Sequence, residues 1–372
     1  MTSNPTELEL RLIERIGRDG PITFRDFMQA ALYDSDFGYY NTERLKIGAG
    51  GDYYTSSNVH PAFGAVLARA FVEMWRGLGG DGALQPLRIV EIGAGTGRLA
   101  CDVLAALRDQ HEGSFRGVEY VIAEASPVMR RRESEMLVGF GGQVRSCGLD
   151  ELARSPTAGI FFSNELIDAL PVHRVRSRQA QIEEQYVTVA SERLALSWAE
   201  PSTPKLTTYL ERAGAMLTEG QFAEINLDSI EWLAQAARAI DRGFLLTIDY
   251  GDVSPLLYAQ DRREGTLRSF RNHRLVDSLL EWVGEQDLTA SVNFTALMQY
   301  GRDFGLETVS YERQVAFLIR KGLIDMIAER ENTNPSREEL RLRLALKNLF
   351  VPGGVSDNFR VLIQKKARPE IV

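Results

Sequence analysis

A short apolar run, Leu87-Arg88-Ile89-Val90-Glu91-Ile92, leads directly into Gly93-Ala94-Gly95-Thr96-Gly97 and then into a helical pattern from Arg98 to Leu107. Few arrangements constrain a chain more. Glycines permit a tight turn and close approach of the backbone to a ligand, and the helix that follows presents unpaired N–H groups at its first turn. Strand, glycine loop and helix together make a nucleotide-binding device at the start of a βαβ unit. The rest of the chain extends the pattern. Glu119–Glu124 reads as a second strand followed by a helix over Pro127–Val138. Val144–Ser146, Gly159–Ser163 and Phe244–Tyr250 read as a third, fourth and fifth strand. Strands alternating with helices predict an α/β fold with a mainly parallel, Rossmann-like sheet.

Residues 1–80 read as a helical N-terminal segment holding a Gly/Tyr-rich loop. Apolar residues at helical spacing predict helices over Glu7–Ile16 and Pro61–Leu78, with Thr23 capping a third that runs to Leu32. Asp34–Thr55 reads as a long loop. Residues 81–372 then form the core, with insertions at about 172–220 and 251–292. The first alternates apolar and polar residues over Val172–Glu200 and predicts antiparallel strands; Lys205–Leu217 reads as helical. Toward the C-terminus the patterns predict helices over Phe294–Phe304, Gln314–Arg330 and Ser336–Phe350, an extended Thr308–Val315 and a last strand over Phe359–Gln364.

Composition narrows the function. The chain has 372 residues, 44% of them hydrophobic, enough for a large core. Its net charge of −8 and pI near 5.3 supply no basic field for nucleic acid. The Arg130-Arg131-Arg132 run lacks the aromatic neighbours of an RNA-binding patch and reads as a solvated helix face. Cys101 and Cys147 make no disulfide framework, and His60, His111, His173 and His273 are too scattered for a metal motif. The polar, acidic N-terminus lacks a secretory pattern, and no run reaches the roughly 18–20 apolar residues of a membrane span. These features lead to the expectation of a cytoplasmic protein with no metal, no nucleic-acid partner and no membrane span.

Two registers fit the glycine loop. Gly95-x-Gly97-x-x-Ala100 matches a dinucleotide fingerprint, whereas Gly93-x-Gly95-x-Gly97 preceded by Glu91 matches the loop of S-adenosylmethionine enzymes. Glu124, ending the second strand, suits ribose hydroxyls in either. No second nucleotide-binding half is evident, and the fourth strand ends in Ser163-Asn164-Glu165, a polar cluster placed for the reacting end of a cofactor. These points favour S-adenosyl-L-methionine. On this reading Gly93, Gly95 and Gly97 pass beneath the cofactor, Glu91 accepts from its amino group and Glu124 takes the ribose. Asp150, after the third strand, lies near the adenine, and Gly51 and Asp52 form a loop that closes over it. Asn164 and Glu165 are the catalytic candidates, because a nitrogen that attacks a methyl gains positive charge that a carboxylate and an amide oxygen can stabilise. Asp168 joins them as a third. The plainer role for Asn164 and Glu165 is to cap and open a following helix.

Separate blocks along the chain resemble one family, the MidA-like methyltransferases. They are Tyr33-Asp34 to Gly38-Tyr39-Tyr40, Gly51-Asp52-Tyr53-Tyr54-Thr55-Ser56, the glycine loop and Glu124-Ala125-Ser126-Pro127. The most specific is Ser163-Asn164-Glu165-Leu166-Ile167-Asp168-Ala169-Leu170-Pro171-Val172-His173. Ile248-Asp249-Tyr250-Gly251, Gly265-Thr266-Leu267-Arg268 and Gln286 to Phe294 complete the set. Ser57 and Asn293 depart from the family pattern, which often has Pro and Asp there. The resemblance implies a class I methyltransferase sheet, S-adenosyl-L-methionine as cofactor and an arginine of a partner protein as substrate. The family includes the mitochondrial enzyme that serves respiratory complex I assembly, so a respiratory-complex subunit enters as a possible partner. A small-molecule methyltransferase, or an assembly factor keeping the fold, are the alternatives. A homodimer is a further expectation, since the insertions could form its interface.

Overall fold

Parallel strands covered on both faces must be apolar throughout, and the run Ile89-Val90 is fully buried. In the computed structural model, which describes residues 4–42, 60–80, 86–272, 274–328 and 358–367, such runs assemble one mixed sheet. Its main strands in chain order are β1 (Arg88–Ile92), β2 (Glu119–Ala123), β3 (Val144–Cys147), β4 (Thr157–Asn164), β5 (Ile240–Asp252), β6 (Glu307–Arg313) and β7 (Phe359–Lys366). A further short strand, Val292–Asn293, pairs in parallel with Gly251 and Asp252 at the end of β5. Their lateral order is β3-β2-β1-β4-β5-β7-β6. The first five run parallel to one another, while β7 is antiparallel to both β5 and β6. A dinucleotide fold continues the order 4-5-6 with parallel strands to build its second mononucleotide half. Here an antiparallel strand lies between β5 and β6, so that half is not made.

The order reverses between β1 and β4. In open α/β sheets, ligands bind outside the carboxyl ends of the strands at such a reversal. Both the glycine loop after β1 and the Ser-Asn-Glu segment ending β4 therefore fall at the sheet's natural binding position.

Helices cover the sheet through residues at 3.6-residue spacing. Arg98–Gln110 buries Leu99, Ala100, Val103, Leu104 and Leu107. Ala62–Gly77 buries Phe63, Val66, Leu67, Ala70 and Phe71, and the Phe71 ring sits 5.0 Å from that of Phe162 on β4. The two helices approach closely at Gly64, where a Cβ would lie 2.6 Å from the Cβ of Asp102. The helix expected over Gln314–Arg330 is two, Gln314–Arg320 and Leu323–Ala328. Gly322 separates them with φ +90°, a conformation that ends a helix. The helix expected over Ser336–Phe350 lies outside the described residues.

The chain divides into two compact units. One comprises Tyr54–Leu166, Ala234–Tyr250 and Gly301–Val372 and contains the helices just described and the sheet up to Tyr250. The other comprises Met1–Tyr53, Ile167–Leu233 and Gly251–Tyr300. In it, helices Glu7–Asp19 and Phe24–Tyr33 are capped by Thr6 and Thr23, whose side chains accept from the N–H groups of Glu9 and Asp26 at 3.1 Å. Val172–Glu200 contains the antiparallel strands His173–Arg178, Gln181–Ala190 and Arg193–Ala199. The helix Leu227–Ala239 begins in this unit, and the sequence reading had no expectation for it. Asn226 opens it by accepting from Ser229 N–H at 2.7 Å.

Candidate active site

The glycine loop owes its shape to three left-handed residues. Gly93, Gly95 and Gly97 have φ of +75°, +60° and +76°. Each faces a different neighbour. A Cβ on Gly93 would meet Leu166 Cδ1 at 2.7 Å, and one on Gly97 would meet Glu133 Cα at 3.1 Å. A Cβ on Gly95 would meet nothing within 4 Å among the described residues. Gly93 and Gly97 are thus glycines for packing, whereas Gly95 faces no described neighbour. Gly97 also stands at the N-terminus of the Arg98–Gln110 helix without a side-chain cap, leaving first-turn N–H groups available.

Three carboxyl groups surround this loop. Glu91 is 2% exposed and accepts from the Tyr120 hydroxyl at 2.6 Å. Burial pushes its carboxyl up to about 7, against the Tyr120 hydrogen bond and with help from the charge of Glu124. Glu124 is partly buried and accepts from Ser126 N–H at 2.8 Å and Gly95 N–H at 3.3 Å. Burial raises its carboxyl, opposed by those backbone N–H groups. It therefore holds the loop as well as facing the site. Glu133 is 1% exposed, and neither of its oxygens has a hydrogen-bond partner among the described residues. Burial first, then the charges of Glu124 and Glu91, push its carboxyl up to about 8. The sequence reading missed Glu133. Its signal was the four-residue step from Met129, the other buried residue of the helix Pro127–Met136.

The end of β4 supplies the second half. Asn164 donates from Nδ2 to Glu165 Oε1 at 3.3 Å, while its Oδ1 is buried with no partner among the described residues. Glu165 adopts φ +53°, in the left-handed region that a residue with a side chain rarely enters. Its N–H donates to Ile248 O at 2.9 Å. Leu166 N–H donates to Asp249 Oδ2 at 3.2 Å, and Asp249, fully buried, also accepts from Tyr250 N–H at 2.8 Å. Asp249 thus holds the turn after β4 from the neighbouring strand β5. Sequence alone assigned Asp249 no role. A carboxylate closing the apolar run Phe244–Ile248 was its visible signal.

No helix follows β4: residues 165–172 form turns and irregular backbone before the strand at His173. Capping and first-turn roles for Asn164 and Glu165 are therefore overturned, and Asp168 is not placed one helical turn beyond Glu165. Asp168 belongs to the other compact unit, is 7% exposed, and accepts through its carbonyl from Ala290 N–H at 2.9 Å. Asp150 is exposed in the first turn of Leu149–Arg154, after β3. Gly51 and Asp52 lie outside the described residues, as does His273. His173 pairs through Nδ1 with the buried Glu184 at 2.6 Å inside its own unit, a structural use. No group of acidic, histidine and cysteine residues suited to a metal occurs among the described residues.

The residues present fit S-adenosyl-L-methionine. That cofactor is cationic, with an amino group, a sulfonium and two ribose hydroxyls. Around the loop stand an open glycine and the carboxyl groups of Glu91, Glu124 and Glu133, which are acceptors suited to an amino group and ribose hydroxyls. The sheet lacks the second mononucleotide half that a dinucleotide would need. Fold and site together define an S-adenosyl-L-methionine-dependent methyltransferase.

Comparison with known proteins agrees. Residues 66–312 match the model of methyltransferase family 28, described as S-adenosyl-L-methionine-dependent, and the chain belongs to that family. It is 27% identical to the mitochondrial protein arginine methyltransferase NDUFAF7 of Danio rerio, over 78% of this chain and 71% of that protein. With the Homo sapiens protein of the same name it shares 27% identity over 91% and 79%. It also resembles the crystal structure of a COG1565 superfamily member from Burkholderia thailandensis bound to S-adenosyl-homocysteine. There the TM-score is 0.88 and the identity 26%, with 98% of this chain and 95% of that one covered.

Proposed function

We propose that this protein transfers a methyl group from S-adenosyl-L-methionine to a side-chain nitrogen of an arginine in a partner protein. The observation that carries the reading is the turn ending β4, where Asn164 Oδ1 is buried with no partner among the described residues, beside the left-handed Glu165. An unsatisfied buried acceptor costs free energy unless a donor arrives. A guanidinium is rich in N–H donors and pairs well with a carboxylate. The names of the relatives support the same substrate class.

When bound, the cofactor supplies the electrophilic methyl on a sulfonium. This chain's residues do the rest by position. Asn164 Oδ1 and the Glu165 carboxylate accept from the substrate's N–H groups, orient the attacking nitrogen and stabilise the charge it gains. Glu91 and Glu124 hold the cofactor's amino group and ribose beside the open Gly95. The helical N-terminal segment and the two excursions, about 172–220 and 251–292, are the elaborations that hold the partner protein. A respiratory-complex subunit is the first substrate to try.

The test is a comparison of proteomes with and without this gene, followed by methylation of the candidate with purified enzyme. Methylated arginine on one protein, restored by the enzyme, is expected. A methylated metabolite with an unchanged proteome would overturn the reading.

A further inference from the structure

Glu133 is an unusual side chain to bury. It runs beneath the glycine loop, with Cγ 3.4 Å and Cβ 3.5 Å from where a Gly97 Cβ would stand. Both its oxygens are sequestered from water with no partner among the described residues, although Glu91 and Glu124 interact with it electrostatically. The groups around it are few. β2 contributes Tyr120, whose hydroxyl is committed to Glu91, and Glu133's own helix contributes Arg130, whose Nη2 lies 3.4 Å from Ala125 O. On the helix Arg98–Gln110, Arg98 is paired with Asp102 at 3.1 Å. Among the described residues no cation is hydrogen-bonded to Glu133. An ionised carboxylate in that position would lose its hydration and face the charges of Glu124 and Glu91, which together outweigh the attraction of Arg130 and favour the protonated form.

We propose that Glu133 makes the cradle discriminate the methyl donor from its demethylated product by charge: it holds a proton in the free protein and yields it to solvent when a cationic cofactor binds. The donor carries a sulfonium that the product lacks, so the two ligands differ by one positive charge. Positive charge added to the cradle offsets the repulsion from Glu91 and Glu124 and lets Glu133 ionise. The exchange balances: one cationic ligand enters, the O–H bond of the Glu133 carboxyl breaks, and one proton goes to solvent. The neutral product gives no such compensation, so Glu133 keeps its proton and the cradle holds product less strongly as pH rises. Glu133 touches no reacting atom in this account and acts as a positioning and charge-sensing residue.

The inference rests on Glu91 and Glu124 lining the cofactor site, and the test separates the two. Calorimetric titrations with S-adenosylmethionine and S-adenosylhomocysteine, between pH 6.5 and 8.5 in buffers of different ionisation enthalpy, count the protons exchanged. The donor should release more protons than the product. The affinity ratio of donor to product should rise with pH, by up to about tenfold per unit for one proton. Glu133→Gln, close in shape and unable to ionise, should bind both ligands and flatten that ratio. Equal proton release for both ligands in the wild type would overturn the proposal, even if the variant failed to fold. So would an unchanged pH dependence in a folded Glu133→Gln. Failure of either ligand to bind the wild type would instead overturn the cradle assignment beneath it.

Discussion

Glu165 carries a full side chain at φ +53°, a conformation that costs about 1–3 kcal/mol and persists where surroundings impose it. Here the imposing contacts are visible: its own N–H on Ile248 O and the next N–H on Asp249. The strain aims two acceptors from adjacent residues without a helix to support them. If Glu165 stabilises the nitrogen that attacks, Glu165→Gln should retain melting temperature and cofactor affinity yet lower single-turnover methyl transfer by about 10²–10³-fold. Near-normal turnover in the folded variant would refute the role. The glycines make a second test at this scale. Gly95→Ala places a Cβ into open space at φ +60°, so its stability loss should stay within about 1–2 kcal/mol while calorimetric cofactor affinity falls at least about tenfold. Gly93→Ala meets Leu166 instead and should lose more stability than Gly95→Ala. If the alanine at 95 bound cofactor normally, the open face would not be the ligand's path.

At the scale of elements, strand and helix periods were plain in the sequence wherever one face had to be apolar. β1, β2 and the Arg98–Gln110 helix follow their patterns to within a few residues. What stayed hidden were the features that depend on a partner distant in sequence. Nothing local says that Asp249 closes the turn at Leu166, eighty-three positions away. Nothing local forbids a helix after Asn164 either; the pull of β5 on two consecutive N–H groups does that. Burial of Glu133 is similar, since its position beside three arginines reads as solvated until Gly97 packs on its Cα. Asp249→Ala should therefore act on the turn and not on cofactor chemistry. Loss of a buried acceptor serving two N–H groups should cost about 1–3 kcal/mol in denaturant unfolding. Turnover should fall with it, while cofactor affinity changes little. An affinity loss as large as the roughly tenfold expected for Gly95→Ala would contradict this division.

For the whole molecule, the buried acids set a pH dependence of stability. Glu91 and Glu133 are raised from 4.5 to about 7 and about 8. A carboxyl raised on folding binds its proton more tightly in the native state, so the native state carries more protons between the two values. Stability from these groups is fully present below about pH 4.5 and is lost as pH rises through the folded values. Glu133→Gln removes one of them. Its melting temperature should match or lie slightly below wild type near pH 5, gain on it up to about pH 8 and level off beyond. A constant difference across that range would mean that Glu133 does not titrate there.

Leu166 is seated against Gly93 on one side and tied to Asp249 on the other, and the chain passes into its second compact unit immediately after it, at Ile167, and again just after Tyr250, at Gly251. Both departures thus begin at positions clamped from within the cofactor-binding unit. Such clamps act as sutures. At these two crossings, drift in length or composition of the segments beyond meets residues already pinned before it meets the glycine loop. Lineages could then refashion the chain between 167 and 233, or between 251 and 300, by grafting or erosion, and inherit the anchored turn after β4 unaltered.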